Sequence, residues 1–199
     1  MNSNACALGL WSNNLIDTDK GYHMFMQSCV DAGPDVCPLY KPTAAEVHTR
    51  IKNIFTSLKH HPIPVRNGST YGVVDYRTAR LALFYYLYEP YKNSQAIAHA
   101  LAAAERGDGL PLAAYNFPRF PPMRCDCQLP GQPTPPITST PDTMAAILCA
   151  DAAGQRLNDT VEDLEARFSA MAAMSEFAGA WPFGAWCKCV RARSTLLRS

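Results

Sequence analysis

The sequence predicts a mainly α protein with a few short strands. Apolar residues recur at helical spacing in several separate stretches, and residues able to cap a helix stand where those stretches begin. The clearest extended segment, "PIPVRNGSTYGVVDY" from Pro62 to Tyr76, joins proline, an Asn-Gly pair and β-branched residues.

The first helix follows Asp17-Thr-Asp19, whose short oxygen-bearing side chains suit free N–H groups, and carries Tyr22, Phe25, Met26 and Cys29 on one face. Gly33-Pro34 ends it. The second opens on a capping box, Thr43 with Glu46, and continues through Val47, Ile51, Ile54, Phe55 and Leu58 to His61-Pro62. After the extended segment and its turn, Tyr76 to about Tyr88 is apolar nearly all round, as a helix buried among others is. Ser94 to Arg106 is an alanine-rich helix with Ile97 and Leu101 inward and Gly107 as its terminator. Between Pro111 and Pro141 lie nine of the sixteen prolines, each lacking a backbone donor, so 111–142 reads as a loop or linker. "MAAILCADA" then forms a short strand or helix end, and a last helix runs from Val161 to about Ala178, capped by Asp159 or Thr160, with Leu164, Phe168 and Met171 inward. The segments divide as 1–110 (helical), 111–142 (linker) and 143–199 (return segment and C-terminal helix).

A chain of 199 residues is long enough to bury about 70% of its unfolded surface in one core. Eighteen basic against seventeen acidic side chains give a net charge of +1, which leaves no field to draw nucleic acid, anionic lipid or an acidic substrate. Its apolar runs fall short of the roughly 20 residues that span a bilayer. The first residues, "MNSNACALGLWSNN", lack a signal peptide's basic and apolar regions. Eight cysteines and two glycosylation sequons, at Asn67 and Asn158, nevertheless suggest an oxidising, secretory compartment.

Catalytic chemistry is harder to find. Gly-x-Ser-x-Gly is absent, and Ser69 in "NGSTYG" has the wrong glycine spacing and reads as a turn or sequon serine. Of the histidines His23, His48, His60, His61 and His99, the adjacent pair suits the C-terminal end of a helix dipole; no His-x-x-x-His, zinc-protease or phosphate-loop pattern occurs. No catalytic, cofactor or metal residue is therefore assigned. Asp151 in "AAILCADA" has the look of an acid at a strand tip, but without a base partner it reads as a cap or a partner for Arg156 or Arg191.

Two Cys-x-Cys pairs, at Cys125 and Cys127 and at Cys187 and Cys189, raise a four-thiolate zinc site, although tight zinc knuckles use Cys-x-x-Cys. Disulfides account for the cysteines better. Cys29 and Cys37 flank a Gly-Pro turn, a closure worth roughly 2.5 kcal/mol on the chain-entropy model, and Cys149 with Cys187 closes a longer loop worth roughly 4 kcal/mol.

Taken in order, "LWSNNLIDTDKGYHMFMQSCVDAGPDVCPLY", "HPIPV", "YGVVDYRTARLALFYYLYEPY", "AAILCADA" and "NDTVEDLEARFSAMAAMSEF" resemble one segment of the tripeptidyl-aminopeptidase-like (peptidase S33-type) α/β hydrolases, from about Leu10 to about Arg193. The resemblance implies a helical cap region and a partial C-terminal part of an α/β hydrolase fold, with the family's nucleophile before this segment and its acid and histidine after it. It departs from the family at Cys189, where a tryptophan is expected, and the strand for the catalytic acid is missing. It implies a secreted enzyme family acting on peptide or ester bonds, without cofactor, nucleic-acid or membrane partner; this chain alone is then inactive. In such a cap Tyr85, Tyr86 and Tyr88 line the substrate entrance, with helix packing as the plainer role for each. The alternative is an independent, disulfide-stabilised helical interaction domain without enzymatic activity.

Overall fold

The computed structural model describes residues 15–68, 70–116 and 160–180, and those residues are mainly helical with one two-stranded sheet. The chain divides into two units, Thr18–Pro122 and Met1–Asp17 with Met123–Ser199.

In the first unit, α1 (Thr18–Ala32) buries Tyr22, Phe25, Met26 and Cys29, the face that its apolar spacing defines. Gly33, with φ of 77°, ends the helix in the left-handed region that glycine enters without steric cost. A disulfide between Cys29 and Cys37 closes the turn that follows, with the two Cα atoms 5.3 Å apart. α2 (Ala44–His60) begins at the capping box: Thr43 Oγ1 accepts from the Glu46 N–H, and the Glu46 carboxylate accepts from the Thr43 N–H at 3.1 Å. Two otherwise orphaned donors are satisfied at once. Val47, Ile51, Ile54 and Leu58 are buried, and Phe55 lies on the flank with its ring edge-on to Tyr76 at 6.0 Å.

The extended segment is an antiparallel hairpin of β1 (Ile63–Asn67) and β2 (Thr70–Val74), in which Ile63 pairs with Val74, Val65 with Gly72 and Asn67 with Thr70. The alternation of strand side chains turns Val65 and Val74 inward and leaves Pro64, Arg66, Tyr71 and Val73 on an outer, exposed face. No loop separates β2 from α3 (Tyr76–Tyr86), because Asp75 caps the helix directly: its Oδ1 accepts from both the N–H and the hydroxyl of Thr78 at 2.8 Å. As its all-round apolar sequence predicts, α3 packs against α2, α4, α5 and β2.

α4 (Pro90–Glu105) starts four residues before the expected Ser94. Pro90 occupies its first turn, where a missing N–H costs nothing and the fixed φ already suits a helix. Ile97 and Leu101 face inward, and Ala98, Ala100 and Ala102 to Ala104 are buried beside them, small enough to let other helices approach closely. The helix ends in a Schellman motif: the Gly107 N–H donates to Ala104 and the Asp108 N–H to Ala103, with Gly107 at φ 89°. Asp108 Oδ1 then accepts from the Leu110 N–H and starts α5 (Leu110–Asn116). The reading of 111–142 as loop from its first residue is thus corrected, since Pro111 sits in the first turn of a helix that packs on α3, α4 and both strands. The rest of that segment lies outside the described residues.

Arg50 in the first half of α2 is tied to Glu105 at the end of α4. Arg50 Nη2 donates to Glu105 Oε2 at 2.6 Å, Nε donates to Oε1 at 3.0 Å, and Nη1 also reaches the Tyr40 carbonyl at 3.4 Å. A carboxylate at the last residue of a helix opposes the dipole, so the fork of the guanidinium offsets an otherwise poor position. Chiefly through the hydrogen bond from Arg50, the Glu105 carboxyl is held below its ordinary range. A carboxylate more acidic folded than unfolded adds stability that is complete above the ordinary glutamate range and is lost as pH falls through the lowered value. Because 37% of the Glu105 side chain is exposed, solvent screening limits the pair to about 0.5–1 kcal/mol. Thermal unfolding of wild type and Glu105→Gln should therefore differ at pH 7 and converge once pH falls below the lowered carboxyl value; an equal gap at both ends would sink this account.

In the second unit, Thr160 and Asp163 form a capping box for α6 (Val161–Met174). Met171 is buried, whereas Phe168, expected inward, is 38% exposed. The two positions stand about 60° apart around the helix, which takes Phe168 to the edge of the buried face. The helix stops at Met174 rather than continuing to Ala178. Ser175 turns extended, and its hydroxyl accepts from the Phe177 N–H at 3.0 Å. The side chain of Leu164 lies outside the described residues.

Candidate functional site

The sequence "FYYLYEPY" makes the end of α3 unusual. The residue before a proline is disfavoured in the α region, and Glu89, ahead of Pro90, leaves the helix at φ −136° and ψ 60°. The preceding turn tightens to i→i+3 hydrogen bonds, from Leu87 to Phe84, Tyr88 to Tyr85 and Glu89 to Tyr86. In such a turn side chains three apart eclipse one another. Tyr88 is thereby brought over Tyr85, with ring centroids 6.2 Å apart and planes tilted by 32°.

Phe84 forms the floor of this cluster. It is buried, 5.9 Å from the Tyr85 ring and 5.6 Å from the Tyr88 ring, both in edge-on geometry. Tyr85 is half-buried and Tyr88 is 64% exposed, so the two phenols form the outer surface of an aromatic group anchored in the core. Although much of Tyr88 meets solvent, its phenol has enough protein around it for burial, and secondarily Tyr85, to push its pKa above the ordinary tyrosine value. Near neutral pH it is thus a neutral hydroxyl, able both to donate and to accept a hydrogen bond. The arrangement offers flat apolar faces with polar tips, suited to holding an aromatic or amide-bearing group.

Tyr86 points elsewhere. It is 3% exposed and packs 5.0 Å from Phe25 of α1, so in this structure its contribution is to the core. Cys29 and Cys37 are joined, and Asn67 is exposed at the end of β1. Cys149, Cys187, Asn158 and Asp151 lie outside the described residues. His23, His60, His61 and His99 are exposed, while the half-buried His48 stands edge-on to Tyr22 at 5.4 Å. Among the described residues, no group of three or more histidine, cysteine or acidic side chains is placed to hold a metal ion, and no helix is long and apolar enough to cross a membrane.

Sequence reasoning misses the Arg50 and Glu105 pair, whose members stand 55 residues apart. It also misses the eclipsing of Tyr85 and Tyr88, for which the proline two residues beyond Tyr88 is the signal. No protein-family model matches this chain, and no curated protein or solved structure is significantly similar to it.

Proposed function

We propose that the helical unit from Thr18 to Asn116 acts as a cap of the kind found in tripeptidyl-aminopeptidase-like α/β serine hydrolases, holding a peptide or ester substrate rather than attacking it. The observation that carries this reading is the pair Tyr85 and Tyr88, packed edge-on against buried Phe84 and partly open to solvent where Pro90 fixes a break between two helices. Rigid aromatic faces with hydroxyl tips lose little entropy on binding and can orient a substrate side chain or leaving group. The family assignment itself rests on the order of segments in the sequence.

The test uses the full chain with an aromatic aminoacyl arylamide and a p-nitrophenyl ester. Binding followed by tyrosine fluorescence should be saturable without turnover. Tyr85→Ala and Tyr88→Ala should each weaken it several-fold, the scale of one aromatic contact of about 0.5–1.5 kcal/mol, whereas Tyr91→Ala should not. Absence of binding would remove the cap reading; turnover blocked by a serine-directed inhibitor that labels this chain would replace it with a catalytic one.

A second reading, an independent helical interaction domain, draws on a different surface. The outer hairpin face exposes Tyr71 and Val73 on a sheet that has two strands among the described residues, the kind of surface that pairs with another chain. If this reading holds, Tyr71→Ser abolishes association with a partner and leaves arylamide binding unchanged.

A further inference from the structure

The sequon Asn67-Gly68-Ser69 has a place in the fold that suits a modification rather than packing. Asn67 is the last residue of β1 and pairs with Thr70, the first residue of β2, and Gly68 follows it directly. Gly68 takes φ of 57°, a conformation that turns the chain sharply away from the strand. The periodicity of β1 puts Asn67 on the same face as Ile63 and Val65, but beyond the buried part of that face, and Asn67 is exposed where Val65 is covered. Neither the core nor any hydrogen bond between strands requires its carboxamide. The same unit carries a disulfide, which forms and persists in the compartments where N-glycosylation also occurs.

We infer that Asn67 is an N-glycosylation site and that its glycan projects from the tip of the hairpin. The donor is an oligosaccharide linked to a lipid pyrophosphate. Asn67 Nδ2 forms a bond to the anomeric carbon, the bond from that carbon to the pyrophosphate oxygen breaks with its electron pair leaving on the lipid pyrophosphate, and one amide proton passes to a base. Ser69 supplies the hydroxyl that the acceptor sequence requires. A bulky, solubilising group at an exposed turn displaces no packed side chain and breaks no ladder hydrogen bond.

The test directs the full chain, behind a cleavable secretion signal, through a eukaryotic secretory host. In an Asn158→Gln background, treatment with an amide-cleaving glycosidase should lower the apparent mass of the secreted protein by one glycan. Carried out in heavy-oxygen water, it should leave residue 67 as a labelled aspartate in the peptide map. Ser69→Ala, which keeps Asn67 itself, should abolish the shift, as should Asn67→Gln, while Ser69→Thr should retain it. A secreted Asn158→Gln chain with an unmodified Asn67 peptide, or a mass shift that survives both Asn67→Gln and Ser69→Ala, would overturn the inference.

Discussion

Replacing Gly109 with alanine is expected to destabilise the Thr18–Pro122 unit by about 1–3 kcal/mol, the usual cost of forcing a methyl into a filled core. A Cβ at this position would lie 2.8 Å from Val65 Cγ1 and 3.2 Å from both Ile63 Cγ2 and Val74 Cγ2. All three neighbours are β-branched, with few χ1 rotamers to retreat into, and they come from both strands of the hairpin. Relief therefore requires the start of α5 to lift away from the sheet. Alanine also restricts the unfolded chain, a gain of about 0.4–1 kcal/mol, so the steric loss decides the sign. The midpoint of thermal unfolding should fall by roughly 5–15 °C. Val65→Ala combined with Gly109→Ala should recover part of the loss, a coupling that distant sites would not show. A Gly109→Ala protein within about 0.5 kcal/mol of wild type would mean that α5 and the hairpin are not in the close contact described.

The same glycine marks where sequence reading stops. In "ERGDGLP" both glycines look alike. Gly107 is readable as a helix terminator because the alanine-rich pattern ends beside it, and its positive φ agrees with that reading. Gly109 is there for a different reason, the approach of β1 and β2, which lie more than thirty residues earlier. Local patterns describe what a segment does to itself. They therefore reach the buried face of α1, the capping box of α2 and the packing of α3 among several elements, each set by spacing within a few turns. They fail at Pro90, which precedes the helix expected from Ser94, and at Pro111, expected to open a loop, although each stands in a helix's first turn.

The tyrosines divide along the same line. Adjacency in "FYYLY" groups Tyr85, Tyr86 and Tyr88 as one surface, but successive helical residues point about 100° apart. Tyr86 accordingly meets Phe25 in the core, while the tightened turn ahead of Pro90 brings Tyr88 back over Tyr85. The three tyrosines come together as entrance residues only through the family resemblance, and from the residues alone each reads as helix packing. The contact between Tyr85 and Tyr88 depends on the turn geometry, and their contact with buried Phe84 on the fold.

Reduction of the bond between Cys29 and Cys37 is expected to cost about 2.5 kcal/mol, because the freed unfolded chain regains the entropy lost in closing a short loop. The separation of eight residues sets that scale. Cys29 lies on the buried face of α1 and Cys37 is buried as well, so the sulfurs still fill their places once reduced and packing changes little. The Cys29→Ala/Cys37→Ala protein loses the same closure and also some of those contacts, and should be somewhat less stable than the reduced wild type. Calorimetry should find the oxidised wild type unfolding roughly 10 °C above its reduced form. The paired variant supplies the control: any change it still undergoes on reduction comes from the other six cysteines. Identical unfolding temperatures for the oxidised wild type and the paired variant would show that the turn after α1 is held by Gly33 and the core without help from the disulfide. The predicted difference would instead make α1 the element most exposed to a reducing environment, since Cys29 links its buried face to the loop that leads into α2.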